Sequence, residues 1–308
     1  MRIGIDIGGT KAHAIAIDHE GVVLGELRLP SGRGDAVLAT VREAITRLSA
    51  EIAAGGSGDA RVESLGMGIP GWVDADSGVV SHAVNLGIER LELGGGVADL
   101  VDGPVRVDND VNAAALGAFA LLEQPPDSMA YLNVGTGLAA GIVLDGRVWR
   151  GFRGIAGEVG HLPIDPDGIV CICGQIGCLE TVASGIALRG DWAGGDFATA
   201  LARGDAAALH ARRLLVHGVA DAVQVLFQTI GVETVVLGGG VVNNLDGVAE
   251  SVRDELAARA SRSPFVSSLG LVERLRVAPN EASIPAIGAA LLAEPHSRAS
   301  TERSSPRR

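Results

Sequence analysis

The chain has 308 residues, a formal net charge of −12 and 47% hydrophobic residues, so it can bury a large core and is expected to form two domains. The acidic balance argues against nucleic acid as a partner, because binding to phosphate backbones needs clustered Lys and Arg. Neither a signal peptide nor a glycine-free apolar run near the roughly 20 residues of a membrane span is found. We therefore expect a cytoplasmic protein without membrane contact.

The first predicted element is a β-hairpin over residues 2–18, RIGIDIGGTKAHAIAID, because isoleucines alternate on both sides of a glycine turn. In such a turn, backbone N–H groups can approach a phosphate. The turn consists of Gly8, Gly9, Thr10 and Lys11, the last being the only lysine of the chain. An ordinary tight hairpin explains the pattern as well as a phosphate loop does. A Walker A motif is excluded, because the segment ends in Thr-Lys and leads into a strand.

A helix over residues 36–54 follows, with apolar residues at helical spacing. The sequence GMGIPG at 66–71 formally matches a dinucleotide-binding fingerprint. That fingerprint requires a helix to begin on its glycines, whereas Pro70 and the sequence WVDADSG after Gly71 predict a turn. We interpret the match as accidental.

Residues 105–119 predict a strand that ends at Asp108, Asn109 and Asp110 and continues as an alanine-rich helix. In α/β proteins, carboxylates at such a junction lie at the edge of the sheet where ligands bind. Asp110 could act there as a catalytic group or as a helix cap, since Asp and Asn are favoured caps. The pattern alone does not decide between these roles.

Residues 129–151 repeat the design of the N-terminal hairpin: a strand, a glycine turn and a second strand. Asn133 stands in the place of Asp6, and the turn consists of Gly135, Thr136 and Gly137. Two copies of one phosphate-binding hairpin predict a duplicated fold that closes on a nucleotide from both sides.

The segment 157–180, GEVGHLPIDPDGIVCICGQIGCLE, contains all three cysteines of the chain and one histidine. Thiolate and imidazole groups are the preferred ligands of Zn²⁺, and the short spacing allows a closed site formed by His161, Cys171, Cys173 and Cys178. The alternative is three buried free cysteines beside an unrelated histidine. Glu158 and Glu180 flank the ligands, and carboxylates with an imidazole suit the paired donors and acceptors of sugar hydroxyls.

Residues 234–241 predict a short buried strand that runs into Gly238, Gly239 and Gly240. A flat ring or a phosphate could lie there against bare backbone, although a loop before a helix explains the pattern equally well. A final helix is predicted over 284–292, with Pro285 near its start. The Ser- and Arg-rich segment 295–308 is typical of a disordered tail.

Four motifs together resemble the ROK family of repressors, open reading frames and kinases. They are DIGGTK at 6–11, NDVNAAALG at 109–117, GEVGHL at 157–162 and the C-x-C-G-x-x-G-C-L-E run at 171–180. The resemblance extends from about residue 3 to residue 292, and the cysteine run is specific to that family. It implies an α/β fold of the actin-like ATPase type, a duplicated ribonuclease H-like fold with two domains around a cleft, and sugar kinase chemistry.

The resemblance also implies roles for individual residues. It makes Asp110 the catalytic base, with substrate bound by Asn109, Glu158, His161, Glu180, Asn85 and Gly71. It implies ATP and Mg²⁺ as cofactors, held by Asp6, Gly8, Gly9, Thr10, Lys11, Gly135, Thr136, Gly137, Gly238, Gly239 and Gly240, and a structural Zn²⁺ on the four ligands named above. The chain departs from many relatives at Ala118, where they carry a glutamate, and at Ala139 or Ala140, where they carry a glycine.

We expect a smaller domain of residues 1–117 plus about 282–294, and a larger domain of residues 118–281 that carries the zinc loop. The expected reaction is phosphorylation of a hexose at its 6-hydroxyl, with glucose favoured by its prevalence in the family. An N-acetylhexosamine kinase, a fructokinase and a non-catalytic sugar-responsive regulator are the alternatives. Regulators of the family carry an N-terminal helix-turn-helix domain, whereas here the hairpin starts at residue 3. A homodimer or homotetramer is expected from the family.

Overall fold

The computed structural model describes residues 1–55, 61–190, 192, 195–279 and 283–293 of the chain. Residues 282 and 294–308 lie outside these ranges, so the predicted tail stays a prediction. None of the helices in the described ranges is both long enough and apolar enough to cross a bilayer.

The elements follow the chain in the order strand, glycine turn, strand that the sequence predicts, once in each half. The strands are β1 Arg2–Ile7, β2 Lys11–Ile17, β3 Val23–Pro30, β4 Ser64–Ile69, β5 Trp72–Asp74, β6 Val79–Ala83, β7 Ile88–Glu92, β8 Val105–Asn109, β9 Ser128–Val134, β10 Leu138–Leu144, β11 Arg147–Val148, β12 Thr234–Gly238 and β13 Leu275–Val277. The helices are α1 Ala36–Ala54, α2 Asp110–Ala120, α3 Phe197–Ala202, α4 Ala206–Thr229, α5 Gly240–Asn244, α6 Val248–Arg262, α7 Pro264–Ser268 and α8 Ile284–Leu292.

Two five-stranded sheets have the same topology. Their strand orders are β3-β2-β1-β4-β8 and β11-β10-β9-β12-β13. In each sheet the first three strands pair antiparallel and the last three pair parallel. The α/β class and the duplication predicted from the two hairpins are therefore confirmed. A third sheet, β5-β6-β7, was not predicted from the sequence.

Each five-stranded sheet is covered by a long amphipathic helix. Helix α1 buries Val37, Val41, Ile45, Leu48 and Ile52, which recur every three or four residues and face the first sheet. Helix α4 buries a corresponding apolar face against the second sheet. The predicted bounds of α1 and α8 agree with the structure.

Helices α2 and α8 lie between the two sheets, and their backbones approach their neighbours closely. A Cβ placed on Gly66 of β4 would lie 1.7 Å from the carbonyl oxygen of Ala289 in α8. A Cβ on Gly117 of α2 would lie 2.1 Å from the carbonyl oxygen of Ile284 in α8. On the other side, a Cβ on Gly141 of β10 would lie 2.6 Å from the carbonyl oxygen of Val111 in α2.

This small-residue packing explains a composition with 44 glycines and 3% aromatic residues. The contacts also fix the start of α2 at the junction of the two sheets. The predicted domain boundary at residues 117–118 falls inside α2, and the domain division stays a prediction.

We expect Gly66→Ala to destabilise the protein by about 3 kcal/mol or more, because its methyl group would overlap the α8 backbone. Equilibrium unfolding in urea measures this loss. Gly95→Ala is the matched control, since no atom lies within 4 Å of a Cβ at that position. Its effect should stay within about 0.5 kcal/mol. Equal stabilities of the two variants would contradict the packing described here.

Candidate active site

Two carboxylates face each other at the carboxyl edge of the first sheet. Asp6 lies near the end of β1, and Asp110 is the first residue of α2, directly after β8. Strand β4 lies between β1 and β8 and ends near both acids. A Cβ placed on Gly68 of β4 would lie 3.4 Å from the Asp110 Cα and 4.0 Å from the Asp6 Oδ1. The tight contact of such a Cβ would be with the Ala113 Cβ at 2.9 Å, so glycine at 68 lets the start of α2 pack closely on β4 beside both acids.

The environment of the pair raises both pKa values. Burial raises the pKa of Asp6 to about 7, and the neighbouring charge of Asp110 acts in the same direction. Burial also raises the pKa of Asp110 to about 6; the N–H of Val111 opposes this and the charge of Glu158 adds to it. Mg²⁺ prefers oxygen ligands such as carboxylates, so Asp6 fits the predicted role beside that ion.

Asn109 is the residue that caps α2. Its Oδ1 accepts a hydrogen bond from the Val111 N–H at 2.9 Å. Its Nδ2 donates to the carbonyl oxygen of Gly71 at 3.4 Å. The cap role that the sequence left open for Asp110 thus falls mainly to Asn109, although Asp110 Oδ1 also lies 3.0 Å from the same N–H. Asn109, Asp110 and Gly71, all predicted site residues, are adjacent.

Asp108 is an important residue that the sequence interpretation did not single out. Its buried carboxylate accepts hydrogen bonds from the Asn109 N–H and the Asn112 Nδ2, both at 2.8 Å. The Arg150 Nε donates to its Oδ2 at 2.8 Å, which compensates the buried charge. Arg150 precedes the zinc loop in sequence, so this ion pair joins that segment to the turn carrying Asp110. One feature of the sequence could have indicated Asp108: a buried aspartate at the end of an apolar strand requires a cationic partner.

The first glycine turn is held by a hydrogen bond within the turn and by one from Ser31. The Gly8 N–H donates to the Lys11 carbonyl at 2.9 Å, and the Ser31 hydroxyl donates to the Gly8 carbonyl at 2.6 Å. Thr10 and Lys11 are exposed. A Cβ on Gly9 would lie 3.6 Å from the Asn85 Cβ, so the structure brings Asn85 to this turn.

The second glycine turn is also held by hydrogen bonds, one within the turn and two from residues 185 and 186. The Gly135 N–H donates to the Gly137 carbonyl at 3.0 Å, and the Gly185 N–H donates to the Gly135 carbonyl at 2.7 Å. The Ile186 N–H donates to the Thr136 carbonyl at 3.1 Å. Because these bonds use the turn carbonyls, the peptide planes are held in fixed orientations on both sides of the cleft.

A cavity of about 210 Å³ lies beside the carboxylate pair and the triple-glycine junction. Residues from both halves line it: Asp6, Asp110, Val111, Ala114, Tyr131, Asn133, Gly239, Gly240, Asn243, Ala278, Pro279, Ile284 and Pro285. Asn133 lies here as the counterpart of Asp6, as the repeated hairpin predicted. Tyr131, Asn243 and Pro279 were missed, because single residues in strands and loops carry no spacing signal.

The triple-glycine junction begins at the end of β12. Gly239 has a φ of +94°, a conformation that L side chains rarely adopt, and precedes α5. A Cβ there would lie 2.5 Å from the Asn133 Oδ1 and 2.6 Å from the Val134 carbonyl oxygen. Glycine is thus required at this wall of the cavity, next to the second hairpin.

His161, Cys171, Cys173 and Cys178 form one cluster, with ligand atoms all within 4.8 Å of one another. The His161 Nδ1 lies 3.7 Å from the Cys171 Sγ, and the Cys173 and Cys178 sulfurs are 3.6 Å apart. Ligand atoms around a tetrahedral zinc ion, with Zn–S near 2.3 Å and Zn–N near 2.1 Å, lie roughly 3.6 to 3.8 Å apart. The residues therefore fit zinc. Hydrogen bonds from the backbone of Gln175 lower the pKa of Cys173 to about 7, which favours a thiolate.

The second ring nitrogen of His161 lies near a carboxylate. Its Nε2 lies 3.8 Å from the Glu158 Oε2, so a metal on Nδ1 would leave this nitrogen beside a carboxylate. Burial raises the pKa of Glu158, and His161 lowers it. The charge of Glu158 also raises the pKa of Asp110, so the zinc loop lies near the carboxylate pair.

Glu180 links the zinc loop to the second glycine turn. Its buried carboxylate accepts a hydrogen bond from the Leu138 N–H at 2.9 Å, and its Oε1 lies 3.9 Å from the Cys171 Sγ. A Cβ on Gly137 would lie 2.4 Å from the Glu180 Oε2. The structure adds this backbone bond to the predicted sugar-binding role of Glu180.

The proteins similar to this chain include sugar kinases and also regulators, such as a xylose repressor of Caldicellulosiruptor bescii that is 36% identical over 60% of this chain and 47% of its own length. The N-acetylmannosamine kinase of Salmonella arizonae is 32% identical over 95% of this chain and 98% of its own length. The glucokinase of Halalkalibacterium halodurans is 29% identical over 84% of this chain and 86% of its own length. A ROK family glucokinase from Streptomyces griseus, solved with glucose and AMPPNP, superposes with a TM-score of 0.74 at 28% identity and covers 95% of this chain and 98% of its own.

The ROK family profile matches residues 2–296, which is nearly the whole chain. The duplicated sheets around the cleft agree with the actin-like ATPase fold that the motifs implied. The chain therefore belongs to the ROK family.

Proposed function

We propose that this protein transfers the γ-phosphoryl group of ATP to the 6-hydroxyl of a hexose, with glucose favoured by its prevalence in the family. The observation that carries the proposal is the position of Asp110: this carboxylate, whose pKa is raised, lines one cavity with Asp6 and Asn133, and the charge of Glu158 acts on it. A base there can reach both a sugar hydroxyl and a nucleotide phosphate.

The roles of the individual groups follow from their chemistry. Glu158, His161 and Glu180 bind the sugar hydroxyls, while Asn109, Asn85 and Gly71 border the ring. Asp110 accepts the proton of the 6-hydroxyl as its oxygen attacks the γ-phosphorus, which is general base catalysis. The glycine turns bind phosphates through backbone N–H groups, and phosphoryl transfer depends mostly on such positioning and charge neutralisation.

The two metals have separate proposed roles. Asp6 holds Mg²⁺, which neutralises charge on the ATP phosphates when bound. Zn²⁺ on the three cysteines and His161 Nδ1 fixes the ring and leaves Nε2 free for a sugar hydroxyl. Closure of the two halves on both ligands excludes water, which would otherwise compete as phosphoryl acceptor.

The identity of the hexose is the finer part of the proposal. Glucokinases and N-acetylmannosamine kinases both occur among the relatives, so an N-acetylhexosamine is the second candidate, ahead of fructose. A non-catalytic sugar sensor is disfavoured by the presence of the Asp110 carboxylate in the cavity that residues of both halves line. We also propose a cytoplasmic homodimer or homotetramer that binds neither nucleic acid nor membranes.

A coupled assay of ADP release with MgATP and a hexose panel tests the proposal. The panel contains glucose, N-acetylmannosamine, N-acetylglucosamine, mannose and fructose. We expect turnover with glucose to exceed that with every other sugar. Preferred turnover of an N-acetylated sugar would select the second candidate, and no sugar-dependent ADP release would contradict kinase activity itself.

Replacement of the base is the second test. Asp110→Asn should lower kcat by roughly 10²- to 10⁴-fold, the usual contribution of a general base, and should change the sugar dissociation constant little. Turnover within tenfold of the wild type would contradict the base assignment.

The stability of Asp110→Asn at two pH values shows whether its loss of activity reflects a loss of folding. Because the native pKa of Asp110 lies near 6 and its ordinary value is 3.8, ionisation destabilises the native state above pH 6 but not below pH 4. Asn cannot ionise, so Asp110→Asn should raise the unfolding midpoint relative to wild type more at pH 8 than at pH 4. A destabilised variant at pH 8 would show that lost activity reflects lost folding.

Loss of the zinc site should weaken sugar binding. We expect Cys173→Ala to lose stoichiometric zinc and to raise the sugar dissociation constant by about tenfold or more, because His161 is no longer held. Metal analysis and calorimetry measure the two effects. Ile172→Ala, an exposed neighbour between two ligands, is the matched control and should change neither. Unchanged sugar affinity in zinc-free protein would disprove the coupling.

A further inference from the structure

Tyr131, the only tyrosine of the chain, lies inside the cleft although no motif includes it. It is in the middle of β9 and is 5% exposed. Its ring belongs to the small cluster that also contains Val111 and Ala114 of α2 and Ile284 of α8. The ring thus packs on the first turn of the helix that carries Asp110, while part of the residue lines the cavity.

The hydroxyl end of Tyr131 is directed toward the triple-glycine junction. A Cβ placed on Gly238 would lie 2.2 Å from the Tyr131 hydroxyl oxygen, so a glycine at 238 leaves the space that the phenol occupies. The backbone of Gly239 hydrogen-bonds to the phenol oxygen. Because the Gly239 N–H is the donor in this bond, the phenol proton remains available for another acceptor.

Burial, together with the neighbouring charges, keeps the phenol protonated. Burial raises the pKa of Tyr131 to about 12, and the charges of Asp6 and Asp110 act in the same direction. A neutral phenol is a donor at every physiological pH. Tyr131, Asp6 and Asp110 line the same cavity, so the phenol lies on the side of the site where the γ-phosphate is proposed to bind.

The pseudo-symmetry of the fold shows that this side chain is not required by the sheet. Alignment of Gly8 with Gly135 pairs Asp6 with Asn133 and therefore Gly4 with Tyr131. In the first half, a Cβ on Gly4 would lie 2.0 Å from the Ala286 carbonyl oxygen, so helix α8 occupies that space. In the second half, the equivalent space holds a phenol that reaches the cavity.

We propose that the Tyr131 hydroxyl donates a hydrogen bond to the terminal phosphate of bound ATP, from the half of the cleft opposite Asp6. This inference rests on the proposed function only in assuming that the cavity binds ATP. The bond would hold the γ-phosphoryl group against the carboxylate pair and would stabilise the charge on its oxygens during transfer. ADP lacks the acceptor, so the hydroxyl should distinguish the two nucleotides.

Calorimetry with Mg·AMPPNP and Mg·ADP tests the proposal on the intact protein. Tyr131→Phe should weaken AMPPNP binding roughly tenfold, the usual effect of a lost hydrogen bond to a charged group, and leave ADP binding within twofold. The same variant should lower kcat roughly 10- to 100-fold with the hexose KM unchanged. Equal effects on the two nucleotides, or none on either, would overturn the proposal.

Met129→Leu is the matched packing control. Met129 lies two residues earlier on the same strand face, in the same cluster, and does not line the cavity. It should leave the ratio of the two nucleotide affinities unchanged. If Met129→Leu changes that ratio as much as Tyr131→Phe does, packing rather than the hydroxyl is responsible and the proposal fails.

A spectroscopic readout separates the hydroxyl from the ring. Because the chain has one tyrosine, incorporation of 3-fluorotyrosine gives a single ¹⁹F resonance. We expect Mg·AMPPNP to shift this resonance and Mg·ADP to leave it near its ligand-free position. Identical shifts with both nucleotides would contradict a bond to the terminal phosphate.

The two proposals can fail separately. Wild-type protein that binds AMPPNP but phosphorylates no hexose contradicts the kinase proposal, and the nucleotide comparison still decides the role of Tyr131. A wild type that phosphorylates a hexose while Tyr131→Phe retains its affinity ratio contradicts only the tyrosine assignment. A wild type that binds neither nucleotide contradicts both.

Discussion

Desolvation of two neighbouring carboxylates, Asp6 and Asp110, is the constraint on which the rest of the site depends. Both pKa values are raised mainly by burial, so the native fold bears a free-energy cost at neutral pH. Groups with such shifts persist where the surrounding structure determines their position and a ligand compensates them. In the proposed function this compensation comes from a cation at Asp6 and from a substrate proton at Asp110.

The packing that fixes the pair is unusually close. Helices α2 and α8 approach each other and the two sheets through glycines, so the backbone rather than long side chains determines their positions. The first turn of α2 is further held by the buried Asp108, which bonds to Asn109 and Asn112 and pairs with Arg150. Asp110 therefore has a defined position before any ligand binds, as preorganised catalysis requires.

The zinc loop is connected to this frame at two places. Arg150, which precedes the loop, donates a hydrogen bond to Asp108, two residues before Asp110. Glu180, at the end of the loop, accepts one from the backbone beside the second glycine turn. A metal on the four ligands would therefore stiffen a segment that already joins Asp108 to the second glycine turn. In the proposed function this segment links the sugar site to the nucleotide site, because each connection is a buried or charge-assisted hydrogen bond.

Residues with a repeated or spaced pattern could be predicted from the sequence. The two hairpins predicted the duplicated sheets, the ligand spacing predicted the cluster around His161, and helices α1 and α8 have the predicted bounds. Residues that depend on distant contacts could not. The partnership of Asp108 with Arg150 joins positions 42 residues apart, and the small sheet β5-β7 contains too few residues for a periodic signal. Tyr131 was missed because only the folded cleft shows where its hydroxyl lies.

The most direct test of the account is a crystal structure of the zinc-loaded protein with its hexose and Mg·AMPPNP. It measures the distance from the Asp110 carboxylate to the sugar 6-hydroxyl. The account predicts a hydrogen bond of about 2.6 to 3.2 Å, with that hydroxyl directed at the terminal phosphorus. A sugar whose 6-hydroxyl lies beyond the reach of Asp110, or a carboxylate turned out of the cleft, would contradict it.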